Sequence, residues 1–149
     1  MQERGWILRN DVIWHKPNAV PRPEGDRLRS VHEHFFHFVK KPSAGRATYY
    51  YDIGEAEPRA GAVVTVNVAP GEAGHSATFP HDLIGPRILT SCPPGGVVLD
   101  PFSGTGRALE VALEHGRHAI GFDAQLEFVQ LQKTKLNGNC KRPARKLRQ

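Results

Sequence analysis

The stretch Val97-Val98-Leu99-Asp100-Pro101-Phe102-Ser103-Gly104-Thr105-Gly106, with its continuation to Gly121-Phe122-Asp123, constrains the fold more than any other part of the chain. Val97 to Asp100 runs without polar interruption and ends in a turn, which predicts a short buried strand. In the loop that follows, Gly104 and Gly106 admit positive φ and let a ligand approach the backbone closely. Arg107 to His115 shows helical spacing, with Leu109 and Leu113 expected inward and Gly116 expected as the cap. His118 to Phe122 reads as a second strand that delivers Asp123 at its carboxyl end. Together these pieces make a βαβ unit of an α/β sheet.

A glycine-rich loop opening a helix, with an acid about 20 residues further on, is how adenosine-bearing cofactors are held. The helix amino terminus attracts a negative group, and the acid accepts hydrogen bonds from two ribose hydroxyls. A phosphate-cradling loop would need Gly-Lys-Ser/Thr, and Arg107-Ala108 stands there instead. The dinucleotide fingerprint wants a third glycine where Leu109 sits, and it starts without an intervening Asp100-Pro101-Phe102. Both nucleotide readings are weakened. Asp100, just ahead of the glycines, suits a ligand with an ammonium beside a carboxylate: the acid faces the amine and the loop amides face the carboxylate. S-adenosylmethionine has such a head.

These residues also carry a family resemblance. Asp100-Pro101-Phe102-Ser103-Gly104-Thr105-Gly106 is similar to the Asp-Pro-Phe-x-Gly-x-Gly motif of the amino-methylating DNA methyltransferases, which make N4-methylcytosine or N6-methyladenine. The run His75-Ser76-Ala77-Thr78-Phe79-Pro80, then Leu83, Ile88 and Pro93-Pro94-Gly95, resembles the segment before that motif in circularly permuted members. Ile13-Trp14-His15-Lys16-Pro17-Asn18 and His32-Glu33-His34-Phe35-Phe36 resemble the family's Trp-x-Lys-Pro-Asn block and His-Glu-aromatic hairpin. The resemblance implies a Rossmann-like, S-adenosylmethionine-dependent fold and site-specific methylation of double-stranded DNA at cytosine N4 or adenine N6. It implies cofactor contacts from Asp100, Pro101, Phe102, Ser103, Gly104, Thr105, Gly106 and Asp123, with Phe79 and Pro80 walling the pocket. Lys16, Arg22, Arg27 and Arg29, around the proline-rich loop before the hairpin, are expected on the DNA-facing side.

One family element is missing. In permuted members a Ser/Asp/Asn-Pro-Pro-aromatic motif precedes the Trp-Lys-Pro-Asn block and holds the flipped base. Ser91-Cys92-Pro93-Pro94 is a decoy, because Gly95 replaces the aromatic and the position abuts the cofactor strand. An exocyclic base amine is a poor nucleophile. The acid or amide of that motif and the adjacent proline carbonyl must accept its hydrogens as the lone pair turns toward the sulfonium methyl. The aromatic stacks on the extruded base. No residue here is assigned those roles, so no catalytic residue is nominated. The expectation is a carboxyl-terminal, cofactor-binding portion of such an enzyme, with central strands missing and inactive alone: either a fragment or truncated gene product, or a chain that works with a second one carrying the motif. Two rival readings stay open: a nonenzymatic remnant that binds cofactor or DNA, and a methyltransferase for RNA or a small molecule.

Length and composition bound the rest. A chain of 149 residues, 39% apolar, suits one domain. We expect a methyltransferase domain over 1–136, divided into a hairpin and target-side region 1–74 and a cofactor-binding region 75–136, then a basic tail 137–149. No apolar run is long enough for a membrane span. Met1 to Gly5 lacks the apolar core of a secretory signal, and Cys92 and Cys140 fit free thiols in a reducing cytoplasm. The net charge of +5 favours an anionic partner. From Lys133 onward the chain carries Lys133, Lys135, Lys141, Arg142, Arg145, Lys146 and Arg148 and no acid, which reads as a solvated tail, with nonspecific phosphate contact as the alternative.

In chain order, Asp11 to Lys16 and Phe35 to Val39 read as strands, with an exposed loop between them. His32, His34 and His37 read as histidines interleaved with packed aromatics rather than as metal ligands. Tyr49-Tyr50-Tyr51 reads as a strand, with stacking of the rings on bases as the alternative, and Val63 to Val68 reads as a further strand. Phe79-Pro80 opens a helix with Leu83, Ile84 and Ile88 on one face, and Gly85-Pro86 predicts a kink or two short turns. Beyond Asp123, Leu126, Val129, Gln130 and Leu136 allow an amphipathic helix broken at Asn137-Gly138-Asn139.

Overall fold

Alternating apolar and polar residues near the amino terminus build an antiparallel hairpin. Strand β1 is Trp6–His15 and strand β2 is His32–Lys40, paired through Ile7↔Val39, Ile13↔His34 and Trp14↔Glu33. The structure, a computed structural model, describes residues 1–19, 25–54, 61–69 and 79–139. Both strands begin earlier than the patterning predicts, at Trp6 rather than Asp11 and at His32 rather than Phe35. The register slips by one residue between Leu8 and Asn10, and this bulge at Arg9 breaks the alternation that marks a strand. Strand β3, Val63–Thr65, pairs with β1 in parallel, giving the order β2-β1-β3. It ends before the expected Val68, but the Asn18 side chain holds Val68 N at 2.7 Å and Val68 O at 3.2 Å. Trp14, near the end of β1, is buried, and its indole N–H donates to Val66 O at 2.8 Å.

Two aromatic expectations change. Tyr49-Tyr50-Tyr51 forms no strand, and all three rings stay exposed. Among the described residues no strand pairs with them; Tyr49 meets the His37 ring edge-on at 6.2 Å, with the Arg9 guanidinium 5.9 Å over its own ring. His32, His34, Phe36 and Phe38 project from one face of β2 as a ladder, with successive ring centroids 5.6, 5.8 and 6.2 Å apart. His32, His34 and Phe36 are exposed, so this ladder is a surface feature and not the packed layer expected. Among the described residues, no group of three His, Cys, Asp or Glu is placed to hold a metal ion.

The described residues fall into two compact units, one from Met1–Tyr49 and Arg59–Val68, the other from Tyr50–Pro58 and Ala69–Gln149. The second unit contains α1 (His81–Ser91), β4 (Val97–Asp100), α2 (Arg107–Glu114), β5 (His118–Gly121) and α3 (Leu126–Asn139). Pro80 is the N-cap of α1, one residue before the expected position, and α1 runs unbroken through Pro86 instead of splitting. A proline in the second turn removes one helical hydrogen bond. Burial of Leu83, Gly85, Pro86, Ile88 and Leu89 offsets that loss.

Strands β4 and β5 pair in parallel, Val97↔His118 to Asp100↔Gly121. Among the described residues, helices cover one face. Val98 and Ala119 pack on the core of Ile88, Cys92, Ala108, Val111 and Ala112, joined by Phe79 and Ile84. On the other face Val97, Leu99, Ile120 and Phe122 are 57%, 60%, 49% and 59% exposed, so the buried strand expected here is buried on one side alone. In α2 the buried stripe is Ala108, Leu109, Val111 and Ala112, and Leu113 turns outward. The stripe centres near Ala108 and Ala112, which puts Leu113 beyond its edge at 100° per residue. Gly116, at φ 71, ends the helix as expected. Helix α3 continues through Asn137–Asn139 instead of breaking; Leu126 is exposed and Gln132 is the buried member.

Arg117 is buried between the helix ends: its Nε donates to Cys92 O at 3.1 Å and its Nη1 to His115 O at 2.6 Å. Cys92 is a buried free thiol. Arg22, His75 to Thr78, Cys140 and the basic residues from Lys141 to Arg148 lie outside the described residues. No described helix is long and apolar enough to cross a membrane.

Candidate functional site

The loop between β4 and α2 sits where the parallel strands end and a helix begins. Gly104 at φ 50 and Gly106 at φ 83 take the positive φ expected of them, and Gly106 is the N-cap of α2. Gly106 makes no side-chain capping bond, and a helix amino terminus attracts a negative group.

Both acids lie at the carboxyl ends of their strands and grip loop amides. Asp100 Oδ1 accepts from Phe102 N at 3.0 Å. Asp123 Oδ2 accepts from Gly104 N at 2.8 Å, and its Oδ1 accepts from Gln125 N at 2.9 Å. A carboxylate has about four acceptor sites, so Asp123 keeps capacity for two further donors.

The motif's side chains divide between inside and outside. Ser103 and Thr105 are 6% and 5% exposed, whereas Phe102 is 88% exposed. Ser103 anchors the loop from within: its N and Oγ donate to Phe122 O at 2.8 and 2.9 Å. Pro101 is exposed, while Pro80 is buried at the head of α1 and Phe79 packs on the core cluster. The structure therefore brings Asp100, the 101–106 loop and Asp123 together at one end of β4 and β5.

The cations expected to face DNA are placed unevenly. Lys16 pairs with Glu33 at 2.5 Å, stands 5.3 Å over the Trp14 ring, and its side chain is 15% exposed. Arg27 and Arg29 are exposed on the connection between β1 and β2.

Two residues that matter here were not singled out from the sequence. Gln132 reaches the loop from α3, with Nε2 donating to Ser103 Oγ at 3.0 Å and to Gly104 O at 2.6 Å. Nothing in a helical pattern distinguishes a buried glutamine from a solvated one. Gly121 permits the packing behind Ser103, since a Cβ there would lie 2.9 Å from Ser103 Oγ. A glycine inside a strand is a sign of close backbone approach, and that sign was available.

Comparison with known proteins gives the family and the fold. A family model described as DNA methylase matches residues 1–134. The Type II methyltransferase M.Cfr9I of Citrobacter freundii is 38% identical over 146 residues, covering 93% of this chain and 47% of its own. The crystal structure of the M1.HpyAVI–SAM complex superposes with a TM-score of 0.75 at 24% identity, covering 91% of this chain and 65% of that one. The PvuII DNA methyltransferase (cytosine-N4-specific) gives 0.73 at 19% identity, covering 95% and 58%. At such identities the likeness establishes the fold, α/β and Rossmann-like, of which this chain holds part. The chain spans about half the length of the curated relatives it matches. By the match of its first 134 residues, it belongs to the DNA methylase family of N6 and N4 methyltransferases.

Proposed function

We propose that this chain is the cofactor-binding portion of a site-specific DNA methyltransferase that transfers methyl from S-adenosylmethionine to cytosine N4 or adenine N6. The observation that carries the reading is the pairing of Asp123 with the Gly104 amide beside the start of α2. That donor set fits the cofactor: Asp123 keeps two acceptor sites for ribose hydroxyls, and Asp100 offers a carboxylate to the ammonium. Phe102, exposed at the loop tip, supplies an apolar surface, and Pro101, Ser103, Thr105 and Gly106 shape the backbone that faces the ligand. Phe79 and Pro80 wall the site from the head of α1. The bound cofactor would supply an electrophilic methyl on a sulfonium. This chain's residues bind and orient.

The base-holding Ser/Asp/Asn-Pro-Pro-aromatic motif is absent from the sequence, so we assign that role to a second polypeptide segment. The uncovered apolar face of β4 and β5 supports this, as do relatives about twice as long. We assign phosphate contacts to Arg27 and Arg29, with Arg22 beside them in sequence. Lys16, already paired with Glu33, serves mainly to hold the hairpin end. The missing motif also favours one other reading, a cofactor-binding remnant without activity.

Titration calorimetry with S-adenosylmethionine tests the site. Asp123→Ala should weaken binding roughly 5- to 150-fold, the equivalent of about 1–3 kcal/mol for donors left unpaired. Equal affinity in the variant and the wild type would overturn the assignment. Methyl incorporation into mixed-sequence DNA should stay at background for the 149-residue chain alone and rise when a chain bearing the missing motif is added. Turnover by the chain alone would show that a complete active site lies within it, and no turnover with any such partner would favour the remnant.

A further inference from the structure

We infer that Gln132 is a positioning residue that holds the glycine-rich loop in its ligand-ready form, an inference that rests on the cofactor reading above. Gln132 is 6% exposed, although a helix-borne amide is ordinarily solvated. Its Nε2 gives both hydrogens to the loop, at 3.0 Å to Ser103 Oγ and 2.6 Å to Gly104 O. Because Gly104 O can only accept, the amide's orientation is determined. Ser103 Oγ passes its own hydrogen to Phe122 O at 2.9 Å.

Gly104 is thereby gripped at both backbone polar atoms, its O by Gln132 and its N by Asp123. A circuit of hydrogen bonds joins α3, the loop, the residue after β5 and the proposed ribose-binding acid. Packing reinforces it: a Cβ on Gly106 would come within 2.8 Å of Gln132 Cγ, so the stem of Gln132 fills the space beside the N-cap of α2. Ordering a loop before the ligand arrives removes that cost from binding, so the circuit acts on affinity.

Three variants test it. Gln132→Leu keeps the bulk and removes the donors, Gln132→Glu sets a carboxylate against Gly104 O, and Ser103→Ala opens the circuit from its other end. Amide hydrogen exchange without ligand should rise at least about tenfold over residues 103–106 in each, with β4 and α1 unchanged. Affinity for S-adenosylmethionine should fall roughly 5- to 30-fold, as for one or two lost hydrogen bonds. The Gln132→Leu and Ser103→Ala losses should combine to less than their sum.

Unchanged loop exchange and affinity in both Gln132 variants would overturn the positioning role. So would exchange that rises equally throughout the unit, which marks a merely structural part. If Gln132→Leu does not fold, the Ser103→Ala and Gln132→Glu results decide in the same way. Raised loop exchange in the variants of a wild type that fails to bind S-adenosylmethionine would leave the clasp standing and overturn the cofactor reading instead.

Discussion

His115, just past the last turn of α2, shows how a single residue ties this fold to pH. Burial lowers its pKa from the ordinary 6.5; Arg117 and His81 push the same way, and Glu114 opposes them. The fold therefore prefers the neutral ring, and as pH falls the unfolded chain takes up the proton first. Stability should be full above pH 6.5, decline as the pH drops through 6.5 toward the depressed folded value, and level off below it. His37, lowered by burial and by Arg9, adds a slope of the same sign. Urea midpoints measured from about pH 8 to about pH 5 should decline less steeply in His115→Gln than in the wild type. Identical slopes would remove His115 from the account.

Between elements, Arg117 ties the ends of two helices together. Its guanidinium donates to the carbonyls of Cys92 and His115, which follow α1 and α2, and places positive charge where two helix dipoles end. Arg117→Met should cost about 2–3 kcal/mol, because charge-assisted bonds are lost and buried carbonyls are left unpaired. Arg117→Lys should not restore it, since an ammonium cannot span two carbonyls with the geometry of a planar fork. A denaturation midpoint unmoved by Arg117→Met would show that packing alone joins the helix ends. Helix α1 makes a related point about Pro86. The ring removes the N–H that Asp82 O would accept, and Thr90 Oγ1 donates one turn later, to Pro86 O at 2.9 Å, so the helix is held by that added bond and by burial rather than by repair of the lost one.

At the scale of the whole molecule, the consequence is a sheet covered on one side. Val97, Leu99, Ile120 and Phe122 present an apolar surface, and among the described residues β5 is the only strand paired with β4. Such surfaces and edges drive association. The purified 149-residue chain should self-associate in sedimentation velocity, and Leu99→Lys with Ile120→Lys should shift it toward monomer without disturbing the helix-covered face. A monomeric wild type with a sharp unfolding transition would mean that the apolar face is stable in water.

Local chemistry by itself determined the βαβ unit: the apolar run at Val97 to Asp100, the positive-φ glycines, the acid at Asp123 and the cap at Gly116 all stand where spacing put them. These depend on neighbours in the chain, so the sequence displays them directly. Tertiary structure alone decided which faces were buried. Leu113 turned out and Gln132 in because α2 and α3 meet particular neighbours, and a helical period does not say where the stripe is centred. The bulge at Arg9 and the surface ladder of His32, His34 and Phe36 were settled by pairing across strands, which no single strand encodes. Strand β4 looked fully buried for the same reason: its residues suit a sheet covered on both faces, and only the fold shows that the described residues cover one.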